Sequence, residues 1–202
     1  LYEFGLQPGE KTGLPSLDEL YTVKPGQWTV ITGIPGHGKS NLLDQILVNL
    51  AYLHDWSFGI FSPENQPIER HFASFMEKRL FKPFSDGPTK RISKEEKNEI
   101  KPWLKKHFKI ILPDDDAGDW HLDGILSLAK ILVYRHGIRG LVIDPWNEID
   151  HARERHLTET EYISKSLTKV RRFARIYGVH VWIVAHPTKL EIQADGNYPV
   201  PT

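Results

Sequence analysis

Residues 33–40 read Gly33-Ile34-Pro35-Gly36-His37-Gly38-Lys39-Ser40 and satisfy the pattern G-x-x-x-x-G-K-[ST] at every fixed position. These residue types are the ones needed to hold a polyphosphate. Glycines let the backbone curl until successive N–H groups point at phosphate oxygens, and a helix opening near Lys39 adds the positive end of its dipole. Lys39 supplies a compact cation for the β- and γ-phosphates, and the Ser40 hydroxyl supplies a ligand for Mg²⁺. Ile34, Pro35 and His37 fill the free positions of the loop, and Asn41 follows at the helix start, so the expected nucleotide-contacting set is Gly33, Ile34, Pro35, Gly36, His37, Gly38, Lys39, Ser40 and Asn41. The bland alternative is a glycine-rich turn with an exposed lysine. The strand expected before the loop and the helix expected after it weigh against that reading.

Hydrolysis at such a loop also needs a carboxylate on the metal side and a group that orients or deprotonates water. Leu141-Val142-Ile143-Asp144 is an aliphatic run closing in Asp, which places a carboxylate at the carboxyl edge of the sheet beside the phosphate loop. Phe61-Ser62-Pro63-Glu64-Asn65 ends another apolar run and brings Glu64 to the same edge. Two readings stand for Glu64: it polarises the attacking water, or it is a polar residue opening the turn before Pro67. Trp182-Ile183-Val184-Ala185-His186 poses the same choice for His186, between a contact to the γ-phosphate and an ordinary surface histidine.

The elements that must position these groups are legible as short apolar runs separated by stretches with helical spacing. Strands are expected over residues 27–32, 58–62, 108–112, 140–144 and 180–185. Being apolar throughout rather than alternating, they suit parallel strands covered on both faces. Helices are expected over 40–53, from Pro67 as first residue to about Leu80, after Ser93, over 122–135 and over 161–176. Ser93 with Glu96, and Thr158 with Glu161, each match a capping box. Pro102 is expected to kink or end its helix early. Strand and helix alternating at this spacing give an α/β fold with a parallel sheet and helices on both sides. Residues 82–91 and 113–120 read as loops, the second carrying Asp114, Asp115 and Asp116, either a solvated acidic turn or a cation site.

Composition narrows the class further. The 202 residues include 26 Lys plus Arg and 26 Asp plus Glu, so attraction to a polyanion must come from local patches. No Cys is present, which excludes disulfides and thiolate metal sites. No apolar stretch approaches the roughly 18 to 20 residues of a membrane span, and the opening residues lack the order of a secretory signal. An intracellular setting is expected, with no membrane partner. The chain begins at Leu1 and holds Met76 as its one methionine, as a segment of a longer protein would.

At these residues the chain resembles the RecA-like ATPase core of DnaB-type replicative helicases. The similarity is strongest to the Twinkle-like branch of mitochondria, plastids and phages. The runs that carry it are 12–18 (TGLPSLD), 61–65 (FSPEN), 142–151 (VIDPWNEIDH), 158–162 (TETEY) and 181–190 (VWIVAHPTKL). The resemblance implies a RecA-like P-loop NTPase with a mostly parallel central sheet, assembled into a ring, commonly a hexamer. Such a ring binds ATP and Mg²⁺ at subunit interfaces and translocates on single-stranded DNA during replication. It implies that Lys39 and Ser40 bind phosphate and Mg²⁺, Glu64 is the catalytic base, Asp144 the metal-side carboxylate and His186 the γ-phosphate sensor. Loops 146–157, with Arg153 and Arg155, and 187–198, with Lys189, would face the channel and touch DNA; a merely solvated role is the plain reading of both. In the family, further strands follow the sensor strand and supply an arginine finger to the neighbouring subunit. Because this chain ends at Thr202, it is expected to be one domain, residues 1–202, truncated at its C-terminal end, binding ATP but hydrolysing it weakly. The setting implied is cytoplasmic for a bacterial or phage source and organellar for a eukaryotic one.

Two other classes share parts of this pattern. A recombinase- or clock-type RecA-like ATPase has the same loop, sheet and Glu after the second strand, and an ATP-gated assembly module would bind nucleotide and partners without unwinding anything.

Overall fold

Strands and helices alternate along the chain in the computed structural model, which describes residues 5, 8–112, 120–149 and 158–187. Among the described residues the order is α1 (Pro15–Asp18), β1 (Trp28–Thr32), α2 (Lys39–His54), β2 (Phe58–Phe61), α3 (Ile68–Leu80), α4 (Lys94–His107), β3 (Phe108–Ile110), α5 (Leu122–His136), β4 (Gly140–Ile143), a 3₁₀ turn (Trp146–Glu148), α6 (Glu159–Tyr177) and β5 (His180–Ala185). The five strands form one sheet, ordered β1-β5-β4-β2-β3, and every pairing is parallel.

The continuous apolar character of the strands now has its cause. Alternate residues serve opposite faces, and both faces are covered. Phe58, Ile60, Val142, Trp182 and Val184 pack with Leu43, Leu47 and Leu50 of α2, Phe75 and Met76 of α3, and Ile100 and Leu104 of α4. Phe61, Leu141, Ile143, Val181 and Ile183 pack on the other side with Ile125 and Ala129 of α5 and Val170 and Phe173 of α6. Burying each of these large side chains is worth roughly 1.5 to 3 kcal/mol.

Both capping boxes form, at Ser93 with Glu96 and at Thr158 with Glu161. Three local expectations are corrected. Pro67 is the N-cap of α3, not its first helical residue, because its ψ of 150° is extended. Helix α4 neither stops nor shortens at Pro102 but runs on to His107. Pro102 and Asn98, whose carbonyl loses its helical partner, both lie on the exposed side, where water can satisfy the oxygen, while Leu104 and His107 anchor the buried side. Third, β5 lies between β1 and β4, so the strand ending at Asp144 is not adjacent to the strand that feeds the phosphate loop. The acidic loop 114–116 lies outside the described residues.

Candidate nucleotide site

The loop between β1 and α2 curls because its glycines adopt backbone angles that other residues resist. Gly36 has φ 79° and Gly38 φ 81°, both left-handed. Gly38 is also the N-cap of α2, and no side chain caps the helix there, so the first N–H groups of α2 face the loop. Positions 35–38 are exposed. The Lys39 ammonium is held over the curl by donating to the carbonyls of Gly33 (2.7 Å) and Ile34 (3.1 Å). Asn41, at the start of the helix, accepts from Lys78 of α3 at 2.6 Å.

Despite the intervening strand, Asp144 reaches the loop: the Ser40 hydroxyl donates to its carboxylate. Asp144 is 5% exposed. Burial pushes its carboxyl above the usual carboxylate range, against the hydrogen bond from Ser40; the charges of Asp44 and Glu64 push it further up, and His71 opposes them. A hydroxyl and a carboxylate in contact, in a pocket with surplus negative charge, is a donor set that suits a hard divalent cation.

Glu64 projects from the turn after β2, which Asn65 holds by donating through its side chain to Ser62 Oγ at 2.7 Å. Its side chain is half exposed, and its carboxylate lies 3.7 Å from His186 Nε2. The two residues whose roles were ambiguous in sequence are therefore neighbours at one sheet edge. The backbone N–H of His186 donates to Asn147 Oδ1 at 2.9 Å, while the Nδ1 atom of its ring is buried without a hydrogen-bond partner. Asn147 had no sequence signal of its own, and its role as a brace for the end of β5 appears only in the fold. Asp44 and His71, 3.1 Å apart and buried, were also missed. The four-residue spacing from Ser40 to Asp44 on one helix face was the available clue. Arg153, Arg155 and Lys189 lie outside the described residues.

A parallel sheet with a phosphate loop after β1, and acidic groups at the carboxyl ends of β2 and β4, defines a RecA-like P-loop ATPase, a nucleotide-binding class. A family profile described as an AAA domain matches residues 10–191, and the chain belongs to that family. It is 45% identical over 199 residues to the Twinkle homolog protein, chloroplastic/mitochondrial, of Arabidopsis thaliana, covering 96% of this chain. The chain spans 28% of the length of that relative. Among solved structures it resembles the ATPase domain of a DnaB-like protein, with TM-score 0.69 and 17% identity over 97% of this chain and 70% of the other. It also resembles a KaiC-like protein, PH0186 of Pyrococcus horikoshii, with TM-score 0.58 and 17% identity over 90% of this chain and 71% of the other. Among the described residues no helix is long and apolar enough to cross a membrane.

Proposed function

We propose that this chain is the ATPase core of a ring-forming replicative helicase, which couples ATP hydrolysis at subunit interfaces to translocation on single-stranded DNA. The supporting observation is the convergence of Lys39, Ser40, Asp144, Glu64 and His186 at one sheet edge, in a chain this similar to a Twinkle homolog. A hexamer is the ring the resemblance favours.

In this reading the free N–H groups at the start of α2 and the Lys39 ammonium grip the phosphates. Ser40 and Asp144 hold Mg²⁺, which neutralises charge building between the β- and γ-phosphates. Glu64 takes a proton from water as the water oxygen bonds to the γ-phosphorus and the bond to the ADP oxygen breaks. His186 senses the γ-phosphate, and Asn147 fixes the backbone from which it does so. Arg153, Arg155 and Lys189 then meet DNA phosphates; a few such cations per subunit suffice, so a chain of zero net charge is no obstacle. An organellar setting accords with the name of the Arabidopsis relative.

The test is forked-DNA unwinding and DNA-stimulated ATP turnover by the full-length protein, wild type against Lys39→Ala. Wild-type unwinding abolished by the substitution is expected. ATP turnover indifferent to DNA, with no unwinding, would favour the clock-type or assembly readings.

A further inference from the structure

A polar ladder crosses the contact between α2 and α3, where the rest of that face of the sheet is apolar. Asp44 Oδ1 is 3.1 Å from His71 Nε2, and the Ser74 hydroxyl donates to Asp44 Oδ2 at 3.5 Å. Ser74 Oγ in turn accepts from Lys78 at 2.7 Å, and the same ammonium donates to Asn41 at 2.6 Å. The ladder thus starts beside Ser40 and ends one helical turn behind it. Asp44 and His71 are both buried, with side-chain exposures of 13% and 6%.

Burying a carboxylate costs free energy that hydrophobic side chains of the same volume would not, and pairing only partly repays it. The placement of this carboxylate says what it serves. Asp44 follows Ser40 by four residues, which sets both on one face of α2. Asp144, at the end of β4, is close enough that its carboxyl is perturbed by both Asp44 and His71. His71 and Ser74 fix the Asp44 carboxylate in one orientation, and α3, which carries them, is reached directly from the turn bearing Glu64.

We propose that Asp44 is a positioning residue of the cation site, an outer carboxylate that accepts hydrogen bonds from water on the divalent ion held by Ser40 and Asp144. The inference rests on the assignment of that ion to those two residues. Mg²⁺ retains several of its waters when protein-bound, and outer partners of this kind orient them and tighten binding. His71 and Ser74 serve to aim the carboxylate.

The experiment follows binding of a fluorescent, non-hydrolysable ATP analogue to the full-length protein as Mg²⁺ is titrated. For Asp44→Asn the Mg²⁺ midpoint should rise about 10-fold, the lower end of the range for loss of an outer-shell partner, with analogue affinity in the absence of Mg²⁺ unchanged. A purely structural role would lower the thermal midpoint and leave the Mg²⁺ midpoint where it is. If Asp44→Asn does not fold, Asp44→Leu/His71→Leu replaces both partners by apolar groups, an exchange that buried pairs tolerate, and the same rise is expected. A folded variant of either kind with a Mg²⁺ midpoint within twofold of wild type overturns the proposal. Wild type whose analogue binding is indifferent to Mg²⁺, and unaltered by Asp144→Ala, would overturn the cation site itself.

Discussion

Glu64 and His186 come from different strands and meet at 3.7 Å, a distance for charge interaction rather than a hydrogen bond. Each had a plain alternative in sequence, a turn opener and a surface histidine. The structure keeps part of the first, since Ser62 and Asn65 do make a turn, yet it turns the Glu64 carboxylate toward the sensor position. Glu64→Gln preserves shape and removes the base. In the full-length protein we expect nucleotide binding to be retained and ATP turnover to fall by roughly 10² to 10⁴-fold, the usual worth of a positioned base. Steady-state turnover beside a nucleotide titration checks this, and unchanged turnover would return Glu64 to the turn. Lys39 was legible because its motif is local. The partnership of Ser40 with Asp144 was inferable only as a pattern, because it crosses an intervening strand.

Elements carry their own tests. Gly140 opens β4 where a Cβ would overlap the Phe58 ring and stand 2.8 Å from Trp182, both fully buried. Its need for glycine comes from packing, not from backbone angle. Gly140→Ala should lose about 1 to 3 kcal/mol in chemical denaturation, as overpacked core sites do. Pro102→Ala should act the other way. It restores an N–H to the middle of α4 on its exposed side, and a gain of about 1 kcal/mol is expected from the same measurement, less than the full cost of an interior proline because the helix already accommodates it. Strand and helix positions were readable from period and caps, and the errors fell where environment decides. Pro102 was read as a breaker because sequence does not show which side of a helix meets water.

Across the whole molecule, one buried network ties the N-terminal segment to the sheet. The Trp182 indole donates to the Tyr21 hydroxyl at 3.1 Å, Tyr21 pairs with Thr29 at 2.9 Å, and Thr29 pairs with His180 Nε2 at 2.9 Å. His180 Nδ1 lies 2.8 Å from the Lys24 carbonyl, so it carries the proton and donates, leaving Nε2 as the acceptor. Burial lowers the His180 pKa to about 4. Between pH 6.5 and 4 the unfolded chain therefore takes up a proton that the folded chain refuses, and stability falls as pH is lowered through that window. The loss reaches about 3 kcal/mol. His107, also lowered by burial, acts with the same sign, and Asp144, raised by burial, acts against both. Urea denaturation at about pH 7, 6, 5 and 4 should show the decline in wild type and a shallower one in His180→Gln. Equal slopes would mean that His180 is protonated in the folded state.

The phosphate loop, the apolar strands and the capping boxes are determined by sequence alone, because each depends on neighbours within a few residues: glycine torsions, β-branched runs, a side chain reaching its own helix start. Strand order, the bridging of β5 by the Ser40 to Asp144 hydrogen bond, the Asn147 brace and the buried Asp44–His71 pair were decided only by the tertiary structure. Those contacts join groups far apart in the chain, and whether a carboxylate there is solvated or buried against another charge depends on packing that no local pattern encodes.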